Sequence, residues 1–229
     1  MATDPGGAGD IRAGNAAATC VGRDRDQAEG VASDMSFARD WQAEVLDKPP
    51  LIAPVRQFVY PRQVAGEEDT LARGALLLRV RPASGGEFLA ICARGFADPS
   101  MPTGVFPCPN PRELCAIAGG YAYFIDTAAP DQSTHIPLRP VVEVRALPDF
   151  GLLIFVGFHA LVAWSSEGLA WQSARLSYEG IRLTRIEDDK LHGFGWDLQT
   201  DKEVEFALDL HTGKHTGSPF PPQSSAATA

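Results

Sequence analysis

Four aromatic side chains in the C-terminal half of the chain have the types and spacing of a binding surface. They are Trp164, Trp171, Tyr178 and Trp196. Tryptophan and tyrosine provide large contact areas at low entropic cost, so on one sheet face they can stack on a sugar ring or anchor a protein partner. A structural alternative is that Trp164 and Trp171 form a cross-strand pair over the turn at Ser165–Gly168. We therefore predict binding residues here, with a protein or a small molecule as the partner.

Acidic and histidine side chains near these aromatic residues could instead perform acid–base chemistry. Glu167, His192 and Asp197 are the candidates. Two carboxylates about 5 to 9 Å apart across a cleft are suited to hydrolysing a glycosidic bond. The chain contains no Gly-x-Ser-x-Gly motif, no Gly-rich phosphate loop followed by Lys, and no Gly-x-Gly-x-x-Gly motif. A non-enzymatic binding module is therefore the favoured function, a hydrolase is the alternative, and no catalytic residue is assigned.

Residue pairs with metal-ligand spacing lack the further ligands that a metal site needs. His211 and His215 are four positions apart, but Thr212–Lys214 between them has the composition of a turn after a strand. Cys108 and Cys115 have no second cysteine pair to complete a zinc site. We predict neither a metal nor a cofactor, and we expect Cys115, in an apolar strand, to be a small core residue.

The composition argues against two classes of partner. The 229 residues carry a formal net charge of -9 and show no cluster of Lys and Arg, so neither nucleic acid nor an anionic membrane surface is expected as a partner. Four sparse cysteines and the lack of a secretory leader after Met1 favour free thiols and a cytoplasmic location. The most apolar run, Gly151–Trp164, ends after 14 residues, whereas a membrane-spanning helix needs ~20. We expect this run to form buried strands of a sheet.

Changes in composition divide the chain into four regions. Phe37, Trp41 and Val45 recur every four positions ahead of Pro49, which is the pattern of a short amphipathic helix that ends before a proline. The segment before them combines Gly, Ala and Asp with few large apolar side chains and cannot bury enough surface to order itself. The predicted regions are a disordered tail (1–35), a short amphipathic helix and linker (36–50), a single all-β domain (51–217) and a flexible C-terminal tail (218–229).

Short apolar runs separated by turn residues predict the fold class of the third region. Ala75–Arg81 and Glu87–Ala93 flank a short link with two glycines, which indicates a hairpin, and Gly119–Gly120 indicates a tight turn between two further strands. Gly151–Trp164 and Leu169–Gln172 are predicted to form a three-stranded meander. About a dozen short strands without βαβ units predict an all-β fold, in which antiparallel meanders form a sandwich, a barrel or a small propeller-like domain.

Two resemblances concern the C-terminal half of the chain. The segment Phe206–Lys214 resembles the blade motif of quinoprotein-type β-propellers, in which a strand ending in Ala-Leu-Asp is followed by a Thr-Gly-Lys turn. In such a turn Asp209 bonds the turn backbone and Gly213 takes the left-handed conformation. The stretch Tyr121–Gly217, with its paired Ala-Trp motifs, is similar to uncharacterised bacterial all-β proteins. These resemblances imply a fold, but not quinoprotein chemistry, because six blades of ~40 residues exceed the ~170 residues available.

Overall fold

The computed structural model describes residues 37–52, 54–61 and 71–220. These residues form sixteen β-strands and one short 3-10 turn at Pro148–Phe150, and they fall within one compact unit, Met35–Ala229. The prediction of an all-β fold built from antiparallel meanders is confirmed. The predicted tail 1–35 and most of the predicted tail 218–229 lie outside the described residues.

The strands form four sheets of four strands each. Sheet A, in the spatial order β1-β3-β4-β2, contains β1 (Trp41–Leu46), β2 (Gln57–Tyr60), β3 (Ala75–Pro82) and β4 (Phe88–Ala93). Sheet B contains β5 (Gly104–Pro107), β6 (Glu113–Ala118), β7 (Tyr121–Asp126) and β8 (Ser133–His135). Sheet C contains β9 (Glu143–Leu147), β10 (Leu152–Val156), β11 (Leu161–Ser165) and β12 (Gly168–Gln172). Sheet D contains β13 (Ile181–Glu187), β14 (Lys190–Asp197), β15 (Lys202–Asp209) and β16 (His215–Gly217).

Sheets B, C and D are simple meanders, because their strands are neighbours in space in the same order as in the chain. All of their strand pairs are antiparallel, and in sheet A only the pairing of β2 with β4 is parallel. The hairpin predicted between Ala75–Arg81 and Glu87–Ala93 is confirmed as β3 and β4, and the Gly119–Gly120 turn joins β6 to β7 as predicted. The run Gly151–Trp164 likewise supplies β10 and β11 of a meander.

The helix predicted within residues 36–50 is wrong. β1 is a strand that pairs antiparallel with β3, from Trp41 opposite Pro82 to Leu46 opposite Leu77. Positions four apart lie on one side of a strand as well as on one side of a helix, so Trp41 and Val45 satisfy both patterns. Pairing with β3 supplies the backbone hydrogen bonds and decides in favour of the strand. The all-β fold therefore begins before residue 51.

The four sheets pack face to face in chain order, with one buried cluster at each junction. The cluster between sheets A and B includes Leu78 and Leu114, the cluster between B and C includes Cys115, and the cluster between C and D includes Ile154 and Phe206. Successive side chains of β6 point alternately to sheet A and to sheet C. Because both faces of the strand are buried, its sequence is a continuous apolar run. Serial packing of four-stranded meanders is the arrangement of neighbouring blades in a β-propeller.

This packing leaves the terminal sheet D different from the sheets inside the stack. Both faces of sheets B and C are covered by neighbouring sheets. One face of sheet D packs on sheet C through Leu183, Leu191 and Phe206, and no buried cluster of the described residues covers the opposite face. We call that second surface the outer face of sheet D. Within the described ranges, no helix is long and apolar enough to span a membrane.

Candidate functional site

The four predicted aromatic binding residues do not share one surface, because two of them are buried at different sheet junctions. Trp164 is 6% exposed and lies between sheets B and C, where its ring stacks on Phe124 with centroids 3.9 Å apart. Its Nε1 donates a hydrogen bond to Glu113 Oε2 at 3.1 Å. Trp171 is 7% exposed and lies between sheets C and D, with its Nε1 donating to the carbonyl oxygen of Leu210 at 2.7 Å.

The structural alternative, a cross-strand pair of Trp164 and Trp171, is wrong. Trp164 lies opposite Leu169 and Ala163 lies opposite Trp171, so β12 advances two residues where β11 advances one. Ala170 is therefore the extra residue of a β-bulge. The bulge and the alternation of side chains send the two indole rings to opposite faces of sheet C.

Trp196 stays partly exposed on the outer face of sheet D. Phe194 and Trp196 alternate along β14 with Gly193 and Gly195, so the two aromatic side chains leave the sheet on the same face. The guanidinium of Arg182, which lies opposite Phe194, sits 4.6 Å from the centre of that ring. We call Arg182, Phe194 and Trp196 the outer-face patch.

Charged side chains extend the outer-face patch. Arg182 Nη2 and Glu203 Oε2 are 2.6 Å apart, and Glu203 lies opposite Trp196 in the sheet. These side chains border a shallow cavity of about 220 Å³. The patch therefore combines two aromatic rings with an ion pair that is already formed.

Tyr178 lies next to Trp196 through backbone contacts. Its N–H donates to the carbonyl oxygen of Trp196 at 2.9 Å, and the N–H of Trp196 donates to Ser177 Oγ at 2.8 Å. The Tyr178 ring contacts the ring of Phe220, with centroids 4.6 Å apart, and the guanidinium of Arg175 lies about 5 Å from both rings. Trp196 and Tyr178 are thus the two predicted residues that the fold brings together at the surface.

The three residues predicted for a hydrolase do not form one site. His192 and Asp197 belong to the same strand, five residues apart, which corresponds to roughly 17 Å along a strand and places the side chains on opposite faces. Asp197 accepts hydrogen bonds from the Thr200 hydroxyl and the Gln199 N–H, which lower its pKa and hold a turn. Glu167 lies in the turn between β11 and β12, in another sheet, where its N–H donates to Ser165 Oγ.

The residue pairs with metal-ligand spacing have structural contacts. His211 is exposed and lies 3.5 Å from Asp189, whereas His215 is buried in β16 with its Nε2 3.2 Å from the carbonyl oxygen of Phe220. Cys108 and Cys115 are buried free thiols, and burial raises the pKa of both. In the described part of the chain, no group of three His, Cys, Asp or Glu side chains is arranged to hold a metal ion.

A cavity that the sequence did not reveal lies along sheet B, beside Trp164 of sheet C. Its volume is about 510 Å³, and its lining includes the carboxylates of Glu113, Asp126 and Asp131 together with Phe124 and Trp164. Among the described residues, the lining contains His135 but no Lys or Arg. We call it the acidic cavity. Trp164, predicted as a surface binding residue, therefore contributes to this cavity instead.

The carboxylate of Glu113 is partly buried in the acidic cavity. Burial raises its pKa, and the negative charge of Asp126 adds to this effect, whereas the hydrogen bond from Trp164 and the nearby Arg112 act in the opposite direction. Glu113 and Asp126 lie directly opposite each other on β6 and β7. One signal for this pair was present in the sequence, because a two-residue turn at Gly119–Gly120 fixes that register.

The turn predicted from the propeller resemblance has the expected local geometry. Asp209 Oδ1 accepts hydrogen bonds from the N–H groups of His211 and Thr212, at 3.1 and 2.8 Å, and Gly213 has a φ of 69°. Such a turn is general chemistry of Asp and Gly. Relation to quinoprotein-type propellers therefore stays a prediction.

Comparison with known proteins places the chain in no family. No family model matches it, and no curated protein matches it. Among solved structures it is similar to the crystal structure of the N-terminal domain of Nup159, with 12% sequence identity and a TM-score of 0.32. The likeness covers 84% of this chain and 53% of that chain, so the chain spans about half the length of the Nup159 domain. At this TM-score the likeness carries no argument about function.

Proposed function

We propose that the protein is a non-enzymatic interaction module that binds a protein partner through the outer-face patch of sheet D. The observation that carries this proposal is the partial exposure of Phe194 and Trp196 on the one face of sheet D that no buried cluster covers. Binding hot spots in protein interfaces are enriched in Trp, Tyr and Arg. Trp196, Arg182 and the neighbouring Tyr178 are of these three types.

The rigidity of the patch supports this function. Arg182 is held between the Phe194 ring, at 4.6 Å, and the carboxylate of Glu203, at 2.6 Å. The backbone of Trp196 is held by two hydrogen bonds, one from its N–H to Ser177 Oγ and one from the Tyr178 N–H to its carbonyl oxygen. Side chains that are already ordered lose less conformational entropy when a partner binds. A partner side chain that packs on the Trp196 ring would also shield the Arg182–Glu203 pair from water.

The remaining features favour a protein partner in the cytoplasm. A chain with a formal net charge of -9 is repelled by nucleic acid and anionic lipid, whereas the patch itself carries charges of both signs. Cys92, Cys108 and Cys115 are free thiols, as expected in a reducing compartment. The separation of His192 from Asp197 within β14 favours the binding module over a hydrolase that would use these two side chains together.

The test compares proteins captured by full-length variants from native lysate of the source organism, with cross-linking to locate the contact. Trp196→Ala and Arg182→Ala should each lose the partner, because truncating a hot-spot residue costs about 2 kcal/mol or more, roughly a 30-fold loss of affinity. Leu169→Ala is the matched control, since Leu169 is 52% exposed on sheet C. Retention of the same partners by the Trp196→Ala variant, with circular dichroism showing it folded, would refute the proposal.

A further inference from the structure

We propose that two copies of this chain form a symmetric dimer through sheet A, in which the loop between β1 and β2 of each copy packs on an apolar row of the other copy. The row lies on the outer face of sheet A, the face turned away from sheet B. Sheets A and D lie at opposite ends of the stack. The contact is therefore separate from the outer-face patch, and its test does not depend on the proposed protein partner.

One apolar side chain from each strand lines up across the outer face of sheet A. Leu46 of β1 lies opposite Leu77 of β3. Ile91 of β4 lies opposite Leu77 on one side and opposite Val59 of β2 on the other. These four residues, which we call the apolar row, point away from sheet B because neighbouring Leu78 packs on it and side chains alternate along a strand. All four are partly exposed, and no buried cluster of the described residues includes them.

The loop between β1 and β2 carries the most exposed large apolar side chains in the described part of the chain. Leu51 and Val55 are fully exposed, and Ile52 is 89% exposed. Because β1 and β2 lie at opposite edges of sheet A, this loop spans the width of the same sheet that carries the apolar row. At this exposure its side chains do not pack on the row of their own copy. Sheet A thus presents an apolar projection and an apolar surface, and neither is filled within one molecule.

Symmetry explains why the occupant is a second copy. In a two-fold symmetric contact the same surface patch is used by both subunits, so each copy must supply both the projecting group and the surface that receives it. Sheet A supplies both. An unrelated partner would need to bring only one of them, and the other would stay exposed to water.

The charges beside the apolar row permit a second copy to approach. Arg79 pairs with Glu44 at 3.1 Å and with Glu87 at 3.7 Å. Arg81 pairs with Glu87 at 2.9 Å. Two arginines and two glutamates therefore balance one another on this face, although the whole chain has a formal net charge of -9. Two such faces meet without local electrostatic repulsion.

The other terminal sheet shows what an outer face looks like when it is suited to water. Stacked repeat structures need terminal units with polar outer faces. Sheet D has such a face, with ion pairs between Arg182 and Glu203 and between Arg185 and Glu205. Sheet A instead has an apolar row that crosses all four of its strands. A second copy that covers this row would remove the difference between the two ends of the stack.

The size of the face sets the expected affinity. Four strands about 4.8 Å apart and about 20 Å long give a face of roughly 400 Å². This is about half of the ~800 Å² that each partner contributes to a standard interface, and the loop enlarges it. We therefore expect a reversible dimer with a dissociation constant in the micromolar range.

The experiment measures the mass of the full-length protein by sedimentation equilibrium from about 1 to about 200 µM, a range that brackets the expected dissociation constant. Leu77→Glu places a charge in the middle of the apolar row. A double variant, Leu51→Ser with Ile52→Ser, removes the projection. Each change should weaken dimerisation about tenfold or more, because apolar side chains buried at the contact lose their partner surface.

Mixing the two variants tests the reciprocal arrangement. In a mixed dimer the intact loop of the Leu77→Glu copy meets the intact row of the double variant, so one of the two contacts is restored. The mixture should therefore dimerise more tightly than either variant does by itself. A contact of row on row without the loops predicts no such recovery.

Two control variants keep the dimer apart from other surfaces. Leu169→Glu makes the same change as Leu77→Glu at a residue of sheet C that is 52% exposed, and it should dimerise as the unchanged protein does. Trp196→Ala, in the outer-face patch, should also leave the dimer unchanged. Circular dichroism of each variant establishes that it is folded. If Leu77→Glu does not fold, the double variant tests the proposal by itself, because its side chains are exposed.

Four results would overturn the proposal. They are a monomer at every concentration, a dimer that the double variant leaves intact, no gain of affinity in the mixture of variants, and loss of the dimer in Trp196→Ala. The last result would move the contact to sheet D.

Discussion

The contact between Trp171 and Gly213 yields a quantitative prediction about how sheets C and D are joined. Gly213 has a φ of 69°, and a Cβ atom added to it would lie 2.8 Å from Cδ2 and Cε3 of the Trp171 ring. Gly213→Ala should therefore reduce folding stability for two separate reasons. The left-handed conformation costs about 1 to 2 kcal/mol for a residue with a Cβ atom. Overpacking against the ring adds about 1 to 3 kcal/mol.

Removing the Trp171 ring should eliminate the cost of overpacking at residue 213. Trp171→Ala by itself should cost about 3 to 5 kcal/mol, because it removes a buried ring and leaves the Leu210 carbonyl oxygen without its donor. In that background Gly213→Ala meets no ring, so only the backbone penalty remains. The double variant should thus be more stable than the sum of the single changes indicates, by about 1 to 3 kcal/mol.

Urea unfolding followed by circular dichroism measures all four proteins of this cycle. Gly151→Ala is the matched control, because Gly151 has a φ of 61° and no atom within 4 Å of an added Cβ. Its substitution should therefore cost the backbone penalty alone. Additivity of Trp171→Ala and Gly213→Ala within about 0.5 kcal/mol would refute the steric explanation. A Gly213→Ala penalty equal to that of Gly151→Ala would refute it as well.

Two further predictions concern buried titratable groups. Burial and the nearby charge of Arg139 lower the pKa of His135 to about 4, so stability should fall as the pH drops from about 6.5 to 4, where only the unfolded chain takes up the proton. The loss of folding stability has an upper limit of about 3 kcal/mol, and solvent contact should reduce it to about 1 to 2 kcal/mol. Urea midpoints measured at several pH values should show this pH dependence in the unchanged protein and a weaker one in His135→Phe. Burial also raises the pKa of the Cys92, Cys108 and Cys115 thiols, so a Cys20→Ser variant should react with an aromatic disulfide reagent only after denaturation. Rapid reaction in native buffer would contradict the burial of all three.

The strands that the sequence predicted and those that it missed differ in their place in the sheets. β3, β4, β6, β7, β10, β11 and β12 were among the strands predicted, and each is either central in its sheet or has a tight hairpin to its neighbour. Apart from β1, which was predicted to be a helix, the missed strands are the short edge strands β2, β5, β8 and β16. With three or four residues, an edge strand shows no clear alternation, and only its pairing with a neighbour makes it a strand.

The residues of the candidate sites also divide into those placed by local sequence and those placed by packing between sheets. The register that sets Glu113 opposite Asp126 follows from the two-residue turn at Gly119–Gly120, so the relative position of these two lining residues depends on local sequence. The indole of Trp164 comes from another sheet, and its position depends on the packing of sheet C on sheet B. Trp164 was predicted to lie at the surface because the sequence does not show that a second sheet covers its ring.

The sequence by itself determined the all-β class, the hairpins and the continuous apolar runs of strands that are buried on both faces. These features depend on side-chain alternation and turn residues within about ten positions, which a single stretch of chain contains. Tertiary structure alone decided that Trp41 belongs to a strand, that the bulge at Ala170 separates Trp164 from Trp171, and that Trp196 remains at the surface. Each of these outcomes depends on hydrogen bonds or packing between segments distant in the chain, and local sequence patterns carry no information about which sheet covers which face.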